Sequence, residues 1–361
     1  MKQISRREFA TLTVAGTAMS RVASPFARGL APVAATVTAA EIVARIKKQI
    51  GGAWDSDDID AFKIGDPSTV VTGVVTTSMA TLDVLQKAVQ AGANLIITAT
   101  PTFYSRADLS TPGGRGLGAG GRGQIPARGA GPAPPSPATI SGPGTGASAP
   151  MPPAPTLPSS VVPTPQRGGA AAPPAAPPPD PVFAGKNDFI ARHKLVVFRM
   201  GQHWTQREPD PRAVGLATAM GWTRYKAGND ALRYDVPPIT LDALASQLKK
   251  ALNTRGGIRA VGDPTATVRR IGLLPGFTTI QASIAMMPSV DVIVTGEVQE
   301  WESASYAQDV AFAGIKKGFI SIGRVVNEAP GMQVCADWLK TIVPEVPVRF
   351  VTAGDLYWRP L

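Results

Sequence analysis

The chain has 361 residues, a formal net charge of +10, 44% hydrophobic side chains, one cysteine and two histidines. That length holds one large domain or two with ample core material, while the lone Cys335 excludes an intramolecular disulfide or a cysteine zinc cluster, and His193 and His203 leave little for a histidine-rich metal site. The charge excludes a nucleic-acid footprint: residues 1–35 and residues 109–179 carry +4 each, which leaves about +2 for everything else.

In chain order, Ser5-Arg6-Arg7-Glu8-Phe9 is a twin-arginine signature. The apolar run from Ala10 to Met19 is too short and too weak to span a membrane, and Val33-Ala34-Ala35 offers small residues for cleavage after Ala35. Residues 1–35 therefore read as a twin-arginine signal, against the blander reading of a basic N-terminus with a chance arginine pair. The expected mature protein is soluble, periplasmic or extracellular, with no lipid anchor and no span.

Thr38-Ala39-Ala40-Glu41 predicts a capping box, followed by the helical stripe Ile42, Val43, Ile46 and Ile50, with Gly51-Gly52 as its stop. The β-branched run 70–77 predicts a strand. Residues 82–89 predict a helix closed by Gly92, and 94–98 a buried strand. This is the strand–helix–strand pattern of a parallel unit. Residues 109–179 are dominated by Pro, Gly and Ala, cannot bury enough apolar surface to fold, and read as a disordered insertion. Ordered sequence resumes at Asp180. A buried strand is expected over 194–200, a loop at Gln202-His203-Trp204, and helices over 211–220 and 240–252. The alternation then repeats with strands over 270–276, 290–295, 319–322 and 348–351 and helices over 280–287, 304–313 and 329–341. Cys335 sits in the last helix as a small core residue. The fold class expected is α/β, with two pseudo-symmetric lobes of mixed, largely parallel sheets flanked by helices.

In open α/β folds, sites gather at the carboxyl ends of strands. The ends here are Ala99-Thr100-Pro101-Thr102-Phe103-Tyr104, Gly201-Gln202-His203-Trp204, Thr295-Gly296-Glu297 followed by Glu300-Trp301-Glu302, and Gly323-Arg324 followed by Asn327-Glu328. No Walker A pattern and no Gly-x-Ser-x-Gly elbow occurs among them.

These motifs, over residues 36–108 and 180–361, resemble the NIF-three-like family, also described as dinuclear metal-centre proteins or GTP cyclohydrolase 1 type 2 homologues. The likeness is greatest to an exported branch. Pro101-Thr102-Phe103-Tyr104, Glu297, Glu300-Trp301-Glu302 and Glu328 match its pattern. The resemblance implies two divalent metal ions, a hydrolase, and homo-oligomers that are commonly toroidal hexamers. It also implies ligands at positions occupied here by Ala99, Thr100, Gln202, Arg324 and Glu328, of which Glu328 alone matches. A remaining metal site would draw on Glu328 with His203, Glu297 and Glu300. His203 also reads as a structural histidine beside Trp204, and Glu300 and Glu302 as acids stabilising a helix start. Arg324 suggests another outcome, a guanidinium neutralising Glu328, Glu297 or Glu300 in a cluster without metal.

Three functions follow as expectations: a metal-dependent hydrolase of an unidentified small molecule, a metal-free relative that binds a small molecule or protein, and an oligomeric scaffold whose insertion engages partners. Nucleic acid and membrane are not expected partners.

Overall fold

The computed structural model describes residues 36–54, 59–105, 108 and 180–360. The twin-arginine segment, the cleavage position and the 109–179 insertion lie outside the described residues. The chain opens with α1 (Ala39–Ile50), where the capping box forms: Thr38 N–H donates to Glu41 Oε2 at 2.8 Å and Glu41 N–H to Thr38 Oγ1 at 3.2 Å. Next come β1 (Phe62–Ile64), β2 (Val74–Thr77), α2 (Leu82–Gln90) and β3 (Leu95–Thr98). After the insertion follow α3 (Pro181–Arg192), β4 (Val196–Arg199), the single turn α4 (Gln202–Thr205) and α5 (Pro211–Ala219). Then come β5 (Arg233–Thr240), α6 (Leu241–Ala251), β6 (Arg259–Val261), β7 (Thr267–Phe277), α7 (Ile280–Met286) and β8 (Val292–Glu297). A π-helical turn, Glu300–Ala304, leads into α8 (Ser305–Phe312), and β9 (Gly318–Ser321), α9 (Arg324–Ile342) and β10 (Val348–Phe350) complete the chain.

Two five-stranded sheets result, ordered β1-β4-β3-β2-β10 and β5-β7-β8-β9-β6. In the first, β4, β3, β2 and β10 run parallel and β1 is an antiparallel edge. In the second, β7, β8 and β9 are parallel between two antiparallel edges. Every residue of β2, β3, β4 and β9 is buried, as expected of central parallel strands covered on both faces. The molecule is thus α/β, with mixed sheets flanked by helices in two lobes.

The sequence reading misplaced several boundaries. The strand expected over 70–77 is regular only from Val74, with Val70 making an isolated bridge to Thr38. The residues expected as a loop at 202–204 form α4. The last helix starts at Arg324 rather than near Ala329, and Pro330 sits inside α9. The short edge strands β1 and β6 had too few residues for a periodic signal.

Helix α9 joins the lobes. Its buried Met332, Cys335, Ala336 and Leu339 belong to the first lobe's core with Ile42, Val74 and Phe198. Burial pushes the Cys335 thiol well above its ordinary range, which suits a core residue and not a nucleophile. The N-terminal half of α9 lies on β7 and β8 of the second lobe. Helix α5 crosses it closely. A Cβ at Gly331 would come within 2.8 Å of Arg212 Cα, and one at Gly215 would collide with the Pro330 carbonyl. The opposing atoms are backbone, so a side chain at either glycine forces the helices apart. Trp204 Nε1 donates to the Gly331 carbonyl at 3.2 Å and Thr76 Oγ1 to the Met332 carbonyl at 2.7 Å, pinning the same stretch to the first lobe.

Gly331→Ala is expected to destabilise the fold by about 1–3 kcal/mol, the usual cost of overpacking, despite alanine's better helix propensity. Urea unfolding of the variant checks this. An unchanged midpoint would mean that the crossing is looser than described.

Candidate functional site

A cleft of about 760 Å³ opens at the carboxyl ends of β3 and β4, and the start of α9 forms one wall. Ala99, Gln202, Arg324 and Glu328, separated by as much as 229 residues of sequence, all line it. Thr100 lies just beneath, buried, with its Oγ1 donating to the Ser78 carbonyl at 2.7 Å.

Glu328 is the cleft's one lining carboxylate among the described residues, and it is 4% exposed. A buried carboxylate needs compensation. Arg324, one helical turn earlier on α9, donates from Nε to Glu328 Oε1 at 3.2 Å, and Arg212 Nη1 lies 3.6 Å from the same oxygen. Arg212 is itself held by Asp210, whose Oδ2 accepts from Nη2 at 2.7 Å and whose Oδ1 accepts from Nε at 3.1 Å. Gly276 provides the room. It has φ +77°, and a Cβ there would come within 2.9 Å of Glu328 Oε1. Its N–H donates to Asn327 Oδ1 at 2.7 Å, which ties the end of β7 to α9.

The same cleft is lined by Arg199, at the end of β4, and Lys186, on α3. Lys186 is 3% exposed; its Nζ donates to the Thr102 carbonyl at 2.5 Å and lies over the rings of Tyr104 and Phe103 at 5.1 and 5.6 Å. Burial pulls its amine down from 10.5 to about 8, partly opposed by nearby Asp108. The Asp108 carboxyl is raised by burial, against the hydrogen bonds it accepts from the Phe103 and Thr102 N–H groups at 2.6 and 2.5 Å and the charge of Arg199. These bonds hold the Asp108 carboxylate against the backbone of Thr102 and Phe103, and Tyr104 and Asp108 are both in the left-handed region. Lys186, Arg199, Arg212 and Asp108 carry no motif signal. The available hint was an arginine closing the apolar run Val196-Val197-Phe198.

The remaining candidates lie elsewhere. His203 is buried outside the cleft, with Nδ1 2.9 Å from Asp60 Oδ2 and Nε2 3.1 Å from the Ala53 carbonyl, stacked on Trp54 at 3.7 Å. Asp60 also accepts N–H bonds from Gly201, Gln202 and His203, fixing the first turn of α4. His203 has the geometry of a structural histidine. Glu300 pairs with Arg259 at 2.5 Å beside a separate cavity of about 610 Å³, and Glu297 is exposed at the end of β8. Among the described residues, no three His, Cys, Asp or Glu side chains converge as a metal-ligating group.

The cleft residues do not fit a dinuclear metal centre. They offer one carboxylate, already engaged by guanidinium groups, and four cationic side chains that would repel a divalent ion. The arrangement suits an anion instead.

No curated protein matches the chain by sequence. Residues 180–353 match the family model described as Duf34/NIF3 (NGG1p interacting factor 3). Among solved structures, the chain is similar to Staphylococcus aureus protein SA1388, at 16% identity and TM-score 0.55, over 90% of this chain and 99% of that one. It is also similar to a Bacillus cereus protein related to NIF3, at 12% identity and TM-score 0.54, over 90% of this chain and all of the other. The matched family model covers every element from α3 to β10, so residues 180–353 carry the pattern of the Duf34/NIF3 family, and the structural likeness shows the same two-lobe fold across α1, β2 and β3 as well.

Proposed function

We propose that this NIF3-like protein binds a small organic anion in the cleft through arginine and lysine side chains, without a divalent metal. The observation that carries the reading is the Arg324–Glu328 pair. It sets a permanent cation against the one carboxylate that matches the family's ligand pattern. A guanidinium presents several N–H donors, and the bond to Glu328 uses Nε alone, so the others remain for a carboxylate or phosphate. The competing reading, a metal-dependent hydrolase, rests on Glu328 alone. We further propose export by the twin-arginine route, on the strength of Ser5-Arg6-Arg7-Glu8-Phe9. We also propose assembly into a homo-oligomer, since Phe312 and Trp301 are 93% and 75% exposed in a single chain. No helix among the described residues is long and apolar enough to cross a membrane.

Calorimetric titration with pyruvate and with inorganic phosphate tests the reading. Binding is expected in the wild-type protein, and Arg324→Ala should weaken it about tenfold, the loss of one charge-assisted hydrogen bond. Equal affinity in both proteins would contradict the assignment. The pH dependence has a definite sign. Lys186 is protonated below about 8, so affinity for inorganic phosphate should fall as pH rises through that value. Lys186→Met should flatten that profile.

A further inference from the structure

We propose that Lys186 is an amine nucleophile that condenses with the carbonyl of an anionic aldehyde or 2-oxo acid held in the cleft, forming an imine. This inference rests on the anion-binding reading and names the ligand class. Its first support is placement. On α3 the buried side chains are Lys186 and Ile190, one turn apart, so a lysine occupies a position where an aliphatic side chain would serve packing better. Yet Lys186 lines the cleft instead of being sealed in a core.

The second support is its surroundings. Its side chain is buried, with Nζ over the rings of Phe103 and Tyr104 at 5.6 and 5.1 Å. The same burial brings the amine to about 8, so a useful fraction is neutral near neutrality. The neutral amine keeps one N–H for the Thr102 carbonyl and has its lone pair free. The third support is the nearby acid. Asp108 Oδ1 is used by two backbone N–H groups, while its buried Oδ2 accepts no hydrogen bond. That oxygen lies 3.9 Å from Arg199 Nη1, and its carboxylate is close enough to Lys186 for their charges to interact, so it can take the proton that the attacking nitrogen gives up.

The chemistry balances without a further reactant. The amine nitrogen adds to the carbonyl carbon, and a proton reaches the carbonyl oxygen to give a carbinolamine. The C–O bond then breaks as the nitrogen lone pair forms the C=N bond, and the second amine proton, relayed through Asp108, goes to the departing hydroxyl, which leaves as water. Arg199, Arg212 and Arg324, lining the same cleft, supply the charge that an adjoining carboxylate or phosphate needs. A neutral carbonyl compound would lack that anchor.

The test is reductive trapping. The full protein is incubated with glyoxylate, or with propionaldehyde of neutral charge, in the presence of cyanoborohydride, and the modified lysines are mapped by peptide mass analysis. The expected result is glyoxylate-dependent modification of Lys186 at least tenfold above every exposed lysine, with little from propionaldehyde. Equal modification of Lys186 by both reagents would retain the nucleophile and overturn the anionic ligand class. Calorimetric binding of pyruvate without selective modification of Lys186 would overturn the imine and leave the anion site standing. Neither binding nor modification would overturn both. Because the mapping is done on the wild-type chain, the outcome does not depend on whether Lys186→Met folds.

Discussion

The close crossing of α5 over α9 at Gly215 and Gly331 holds the rest of the molecule in register. It lets Arg212, three residues before Gly215, and Glu328, three residues before Gly331, reach one another across the junction of the lobes. Helix α9 then carries the constraint in both directions. Its C-terminal half is sunk in the first lobe's core, its N-terminal half rests on β7 and β8, and its first turn delivers Arg324 and Glu328 to the cleft. Glycine is needed because the neighbouring atoms are backbone, which cannot swing away as a side-chain end can.

From that frame the electrostatics follow. The cleft sits at the ends of β3 and β4, where parallel strands leave loops free to diverge. One buried carboxylate is engaged by two guanidinium groups, and Lys186 and Arg199 line the same cleft. A site of this composition attracts anions and repels divalent cations. The charge is not wasted on solvent, because Glu328, Lys186 and Arg199 are each less than a tenth exposed and interact at low effective dielectric.

Much of the fold was legible in the sequence for a physical reason: buried parallel strands such as Leu95-Ile96-Ile97-Thr98 are short apolar runs, and amphipathic helices such as α1 carry caps and stripes. The antiparallel edges were not, since β1 and β6 have three residues each and no alternation to read. The start of α9 was hidden by Pro330, yet the spacing of Arg324 and Glu328, four residues apart, already fitted one face of a helix. The cleft was half legible. Ala99, Gln202, Arg324 and Glu328 were named from strand ends and resemblance, and they do line one cavity. Lys186, Arg199, Arg212 and Asp108 were not, because their meeting depends on tertiary approach that no local pattern encodes. His203 was ambiguous for the converse reason: a histidine beside a tryptophan looks alike as a ligand or as a packed ring until Asp60 is seen bonded to it.

The central claim is that fixed cations stand in this cleft in place of divalent metal. Elemental analysis of the protein, purified without chelator, beside a Glu328→Ala variant, tests it most directly. The account predicts no stoichiometric divalent metal in either protein. Near-stoichiometric metal in the wild type that is lost in the variant would contradict it and would restore the metal-dependent hydrolase as the leading reading.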